Sequence, residues 1–358
     1  MRTGLERAGL WLGAVVLSLV LSGCESLAYY QQGVRGEMQV LRARRPIPVL
    51  LADSKLDARL RARLEIIQRI RQFAGQQLAL PVAHQYDTYA DIGRHDVAWA
   101  VIAAPTYSLQ ARRWCYPVVG CLDYHGFFDE ARARRYALAL SRHGYDIYVA
   151  PVQDFSTLGW FRDPVLNGFL DLPEPDLAEL IFHELAHQRL FFKGDTGFNE
   201  SFATAVAEAG VERYAQAYGL DLSAWRQQKQ AQQTLTQLLM QVRQQLARLY
   251  AQDPPASDPA AAKAQILQAL QKTYDEQSRR VAGLDAYAAF VKATNNASLV
   301  TVADYHDLVP AFTRLLARDQ GDFARFFADC QLLRRLHPDA RRLALHSLDE
   351  KAPARAGD

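Results

Sequence analysis

The sequence predicts an α+β protein that is mostly α-helical, with a small upstream β-sheet and a helical C-terminal part that includes a long helical hairpin. Leu56, Leu60, Leu64, Ile67 and Ile70 recur at three- and four-residue steps, the spacing of an amphipathic helix with its arginines on the wet face. Between about Asp87 and Val152 the runs "DVAWAVIAA", "WCYPVVG" and "YDIYVAPV" are short, rich in β-branched and aromatic residues, and punctuated by Pro and Gly, as strands are. Further on, "AWRQQKQAQQTLTQLLMQVRQQLARLYAQ" and "AAAKAQILQALQKTYDEQSRRVA" read as two antiparallel helices joined by the proline turn "DPPASDP", with Leu235, Leu238, Leu239, Val242, Leu246 and Leu249 forming an apolar stripe.

A chain of 358 residues is long enough for one large or two modest domains. Its 41 Lys and Arg against 39 Asp and Glu leave a net charge of +2, so no broad electrostatic footprint points to a nucleic-acid partner.

At the N-terminus, Arg2 and Arg7 precede "LWLGAVVLSLVL", a run too short to span a bilayer comfortably and laid out like an export signal. It reaches "LSGC" at residues 21–24, which resembles the lipobox of bacterial lipoproteins. The resemblance implies that residues 1–23 are a signal peptide cut before Cys24, and that the Cys24 sulfur carries a lipid anchoring the chain to a membrane. Glu25 stands where lipoproteins kept at the inner membrane usually carry aspartate, which favours the outer membrane, facing the periplasm.

Residues 24–45 read as a tether and 46–175 as an N-terminal α/β part. Cys115 and Cys121 flank "YPVVG"; they could close a small disulfide loop in an oxidising periplasm or remain two buried thiols, and both readings stay open. No further Cys or His lies nearby at zinc-site spacing. The helical stretch before "YDIYVAPV" is closed by Gly144. That strand could pair with an extended substrate at a sheet edge, and the aromatic loop after it offers Trp160 and Phe161 as pocket walls. Residues 176–350 form the helical part, and 351–358 a frayed tail.

The chemistry concentrates in "IFHELAHQRLFFKGDTGFNESFA". Asp176 is the expected N-cap of this helix, with Glu179 completing a capping box. His183 and His187, four apart, share one helical face and can aim two imidazole nitrogens at one point. Glu184 sits one position round. That is the arrangement needed when a zinc ion acidifies a water and a carboxylate takes the released proton. Leu180, Ile181, Leu185 and Ala186 make the helix mostly buried, and two histidines and a glutamate inside a core are costly without a partner.

Catalytic zinc needs a third protein ligand and one open position. After a break at Gly194, Asp195 and Gly197, Glu200 falls in the first turn of the next helix. Glu208, two turns on and rotated by about 80°, is the competing ligand; Asn199 and the first-turn position favour Glu200. Thr204 and Asn199 are the candidate supporting residues, Thr204 being placed to hydrogen-bond a ligating histidine. In "TNNASLVTVADYHDLVP", Tyr305 and His306 are candidate donors to an oxyanion, or parts of a capping loop.

The sequence His-Glu-Leu-Ala-His-Gln followed by Asn-Glu-Ser-Phe-Ala-Thr resembles the gluzincin metallopeptidases, especially the zinc aminopeptidases with His-Glu-x-x-His and a later Asn-Glu-x-x-Ala. With the lipobox, "WCYPVVGC" and "STLGWFRDP", the mature chain resembles the predicted-aminopeptidase family of bacterial lipoproteins. The resemblance implies a gluzincin-like fold, Zn2+ held by His183, His187 and Glu200, Glu184 as general base, and peptides or proteins as substrates. The gap before Glu200 is shorter than in the well-known zinc aminopeptidases, and the chain lacks the Gly-x-Met-Glu-Asn stretch that grips a free amino terminus. Aminopeptidase action, endopeptidase action on envelope proteins, and a non-catalytic zinc-binding envelope scaffold therefore all stay open.

Overall fold

Local chemistry sets the limits of the first elements. In the computed structural model, which describes residues 32–33, 35–36, 38–116, 120–152, 163–253, 257–302 and 308–347, the strand Arg44–Pro46 (β1) runs straight into the short helix Ile47–Ala52 (α1). Asp57 then accepts a hydrogen bond from the Leu60 N–H and starts the helix Ala58–Gln77 (α2). This helix buries Leu64, Ile67, Ile70 and Phe73, the face that the leucine and isoleucine spacing predicts.

The β-rich region forms three small sheets among the described residues, where the sequence suggested one. Its elements are Thr88–Ala90 (β2), Ala98–Pro105 (β3), Trp114–Tyr116 (β4), Gly120–Leu122 (β5), His125–Phe127 (β6), the helix Glu130–Ser141 (α3), Tyr145–Val152 (β7) and Val165–Leu166 (β8). β3 is the middle strand of an antiparallel sheet, with β6 on one side and β7 paired along its full length on the other. Trp99, Val101 and Ala103 pack with Ala133, Ala137 and Leu140 of α3, while the alternate residues Ile102 and Ala104 pack with Ala297 on the opposite face. α3 ends ahead of Gly144, whose φ of 78° suits glycine and turns the chain into β7. β7 stands at an edge of its sheet; the loop carrying Trp160 and Phe161 lies outside the described residues.

The second sheet places β2 between β1, antiparallel, and β8, parallel. β4 and β5 pair as a hairpin with Cys115 opposite Cys121, and the two cysteines form a disulfide. Cys330 is a buried free thiol. Next to this hairpin His125 stacks on Tyr136 at 4.9 Å, and its Nδ1 pairs with the Tyr116 hydroxyl at 2.5 Å. Burial first, and the nearby Arg112 charge second, push the His125 imidazole down to about 4.

A one-turn 3₁₀ segment, Asn167–Asp171, leads into the helical part. Its helices are Glu174–Arg189 (α4), Thr196–Tyr218 (α5), Ser223–Tyr250 (α6), Pro259–Ser278 (α7), Ala288–Lys292 (α8), Asn296–Val302 (α9), Val309–Arg318 (α10), Phe323–Leu332 (α11) and Pro338–His346 (α12). The main core joins α2, α4, α5, α10 and α11, with Phe198, Phe202, Phe312 and Phe326 in mutual ring contact. The expected hairpin is α6 and α7, and it has a core of its own: Leu235, Leu238, Leu239, Val242 and Leu246 against Leu270 and Tyr274. Polar bonds fasten it to the sheet. Lys263 donates to Asp146 at 2.5 Å and to the Thr106 carbonyl at 2.9 Å, and the Tyr250 hydroxyl meets Asn296 at 3.0 Å. Among the described residues no helix is long and apolar enough to cross a membrane.

The His125 environment makes stability depend on pH. Because its folded value of about 4 lies below the ordinary 6.5, the unfolded chain binds more protons in this range. The contribution is present above pH 6.5 and is lost as pH falls toward 4. His125→Gln, which stays neutral and can still meet Tyr116, should flatten that part of the stability profile by up to about 3 kcal/mol. Chemical denaturation at several pH values checks this; parallel profiles for the two proteins would refute it.

Candidate metal centre

α4 begins at Glu174, three residues ahead of the expected start, and Asp176 is therefore not its cap. Pro173 occupies the cap position without a side-chain bond, and Pro175 fits in the first turn, where a missing N–H costs nothing. Nor does Glu179 close a capping box. Its carboxylate accepts a hydrogen bond from the Trp225 indole at 2.7 Å and an ion pair from Lys229, both on α6. Tertiary partners thus take the group that the local pattern assigned to the helix end.

Leu177, Ala178, Ile181, Phe182, Leu185 and Ala186 of α4 are fully buried, which fixes the rotation of the helix and turns His183 and His187 toward α5. α5 starts at Asp195, whose side chain accepts from the Phe198 N–H at 3.4 Å. Glu200 is its fifth residue, just past the first turn. Asn199, beside it, makes no hydrogen bond to the histidines among the described residues. Its amide makes two bonds to the Phe192 backbone, accepting from N–H and donating to C=O at 2.8 Å each, and so ties the turn between the helices to α5. Deeper along the pair, a Cβ at Gly210 would lie 2.8 Å from both Phe182 and Leu78, so glycine permits the close approach of α5 to α4 at this point.

The result is a triangle of ligand atoms. His183 Nε2 and His187 Nε2 stand 3.0 Å apart, and Glu200 Oε2 is 3.3 Å from the first and 3.6 Å from the second. A tetrahedral ion with nitrogen and oxygen ligands at about 2.0–2.1 Å separates them by about 3.3–3.4 Å, so these residues fit a single metal ion. His187 is 6% exposed, while His183 and Glu200 keep 24% and 21%, so the group is partly accessible to solvent. Among the described residues, the buried His187 Nδ1 has no hydrogen-bond partner.

The electrostatics favour the deprotonated donor set that a metal requires. Burial lowers the His183 pKa, against the opposing pull of Glu200, and so keeps this imidazole neutral. For Glu200, burial alone would raise the pKa, but the bonds from His183 and His187 outweigh it and hold the carboxyl at about 2.

Glu208, the alternative third ligand, is not part of this group. It faces Lys229 at 3.7 Å, and burial raises its pKa. Thr204 is buried one turn after Glu200, and among the described residues no hydrogen bond links it to either histidine. Glu184 follows His183 on α4 and is half-buried. Tyr305, His306 and Cys24 lie outside the described residues. Lys229 and Trp225, which hold Glu179 one turn before His183, carry no sequence signal beyond their place on an amphipathic helix.

This geometry separates the two carboxylates experimentally. Glu200→Ala should weaken binding of a divalent cation by more than the 10–100-fold typical of lost supporting contacts, whereas Glu208→Gln should leave it unchanged. Titration with zinc against a competing chelator measures both, and the opposite ranking would make Glu208 the ligand.

No curated protein and no solved structure matches the chain significantly. A family model described as "Putative aminopeptidase" does, over residues 28–345. That match spans nearly the whole chain and takes in both helices of the candidate metal centre, and the protein therefore belongs to this aminopeptidase family.

Proposed function

We propose that the protein is a zinc-dependent metallopeptidase of gluzincin-like architecture that removes residues from the amino terminus of peptides. The observation that carries this reading is the convergence of His183 Nε2, His187 Nε2 and Glu200 Oε2 within 3.0–3.6 Å of one another. Among the described residues two imidazoles and one carboxylate make up the group, which matches the three protein ligands of catalytic zinc sites, whereas structural zinc sites close all four positions with protein ligands. Family membership supports hydrolysis of peptide bonds.

When bound, zinc supplies an acidified water and polarises the scissile carbonyl. His183 and His187 offer ring nitrogens as ligands, and Glu200, whose carboxyl is held well below its ordinary pKa, adds a negative charge. Glu184, which is not one of the three converging ligands, takes the proton from the attacking water and passes it to the leaving amine. Tyr305 donates a hydrogen bond to the oxyanion.

Glu184→Gln should retain zinc and lose peptide cleavage by at least about 100-fold; retained turnover would remove Glu184 from the mechanism. Comparing one long peptide with its amino-acetylated form separates stepwise trimming, which the acetyl group blocks, from internal cutting, which it does not.

The protein is also proposed to be anchored by lipid on Cys24 at the bacterial outer membrane, facing the periplasm. The "LSGC" stretch and the Cys115–Cys121 disulfide, a bond that persists in oxidising compartments, support this. Cys24→Ser should move the protein from the membrane fraction to the soluble fraction of the envelope, and unchanged membrane retention would count against lipidation.

A further inference from the structure

The turn between α4 and α5 sets where Glu200 stands relative to the two histidines, and a residue from the far end of the chain grips it. Arg341, on α12, donates from Nη1 to Asp195 Oδ2 at 2.5 Å. Its guanidinium lies over the Phe192 ring at 4.5 Å and the Phe198 ring at 5.8 Å, and these two rings stack on each other at 4.6 Å. Its Nε donates to the carbonyls of Leu333 and Leu336, each at 3.1 Å, which fixes the other end of the side chain. The Arg341 and Asp195 side chains are only 11% and 6% exposed. A charge pair so buried leaves an uncompensated charge when one member is removed.

Asp195 is also the residue that starts α5, and its own cap bond to Phe198 N is long at 3.4 Å. Arg341 therefore orients the carboxylate at the helix start, five residues ahead of Glu200, while its face covers the aromatic pair of the turn. None of its contacts is with a proposed ligand. We propose that Arg341 is a positioning residue of the metal centre: held by the C-terminal segment, it fixes the α4–α5 turn and so sets Glu200 against His183 and His187. This rests on the reading of those three residues as metal ligands. A lysine could supply the charge but not the simultaneous fork, Nε contact and flat face, so arginine is required here.

The test is zinc affinity of the full mature chain, read by competition with a chelating dye, which needs no catalytic turnover. Arg341→Gln and Arg341→Lys should each weaken zinc binding by about tenfold or more, as loss of groups that support ligands does. Leu238→Ala, in the separate core of the α6–α7 hairpin, serves as a destabilised control and should keep wild-type affinity. Asp195→Asn preserves a capping side chain; combined with Arg341→Gln it should weaken zinc binding no further than the Arg341 change alone, because both act through one contact. Wild-type affinity in either folded Arg341 variant, or equal loss in Leu238→Ala, would overturn the proposal. A wild-type protein that binds no zinc would overturn the metal-centre reading itself, and the proposal with it.

Discussion

The approach of two imidazole nitrogens to 3.0 Å, beside a half-buried carboxylate, is the constraint that organises this molecule. Two imidazole nitrogens and a carboxylate oxygen this close call for positive charge between them. A shared proton could supply it, but burial disfavours protonation of His183. A cation between the three atoms supplies it directly. The surrounding structure enforces the encounter: the apolar back of α4 fixes the rotation of one helix, Gly210 lets the second helix come close, and Asn199 ties the intervening turn.

Features written in short-range patterns were legible from the sequence, and features that depend on a distant partner were not. The stripe from Leu64 to Ile70, the strands β3 and β7, and the α6–α7 hairpin all follow from residue spacing within one element. The pairing of Tyr89 with Val165 does not, since β8 has only two residues and no periodicity to read. Likewise Asp176 and Glu179 form a valid capping pattern, yet Trp225 and Lys229 claim Glu179. The metal motif names the histidines and leaves two carboxylates for the third ligand, with Asn199 and the early helix position favouring Glu200; the fold places Glu200 beside the histidines and Glu208 beside Lys229. Asn199 was visible as a neighbour of Glu200, but its bond to the Phe192 backbone needs the fold of the turn.

The α6–α7 hairpin carries an independent core but is not an independent appendage. At one end Lys263, Asp146, Asn296 and Tyr250 bind it to the sheet. At the other, Lys229 and Trp225 reach Glu179 on the helix that bears the histidines. Half-buried charges make both attachments directional, because each would be costly to leave unpaired. A segment that looks like inert scaffold in the sequence therefore spans from the sheet to the metal helix and braces one against the other.

The Cys115–Cys121 bridge encloses only a few residues, with a sequence separation of 6. In a chain-entropy account a ring this small restricts the unfolded chain by roughly 2 kcal/mol, near the low end for such bonds. Neither α4 nor α5 contains a cysteine, so no covalent link spans the metal centre. Opening the bridge would slacken a single tongue of the sheet region, and the histidine–carboxylate triangle would keep its shape under reducing and oxidising conditions alike.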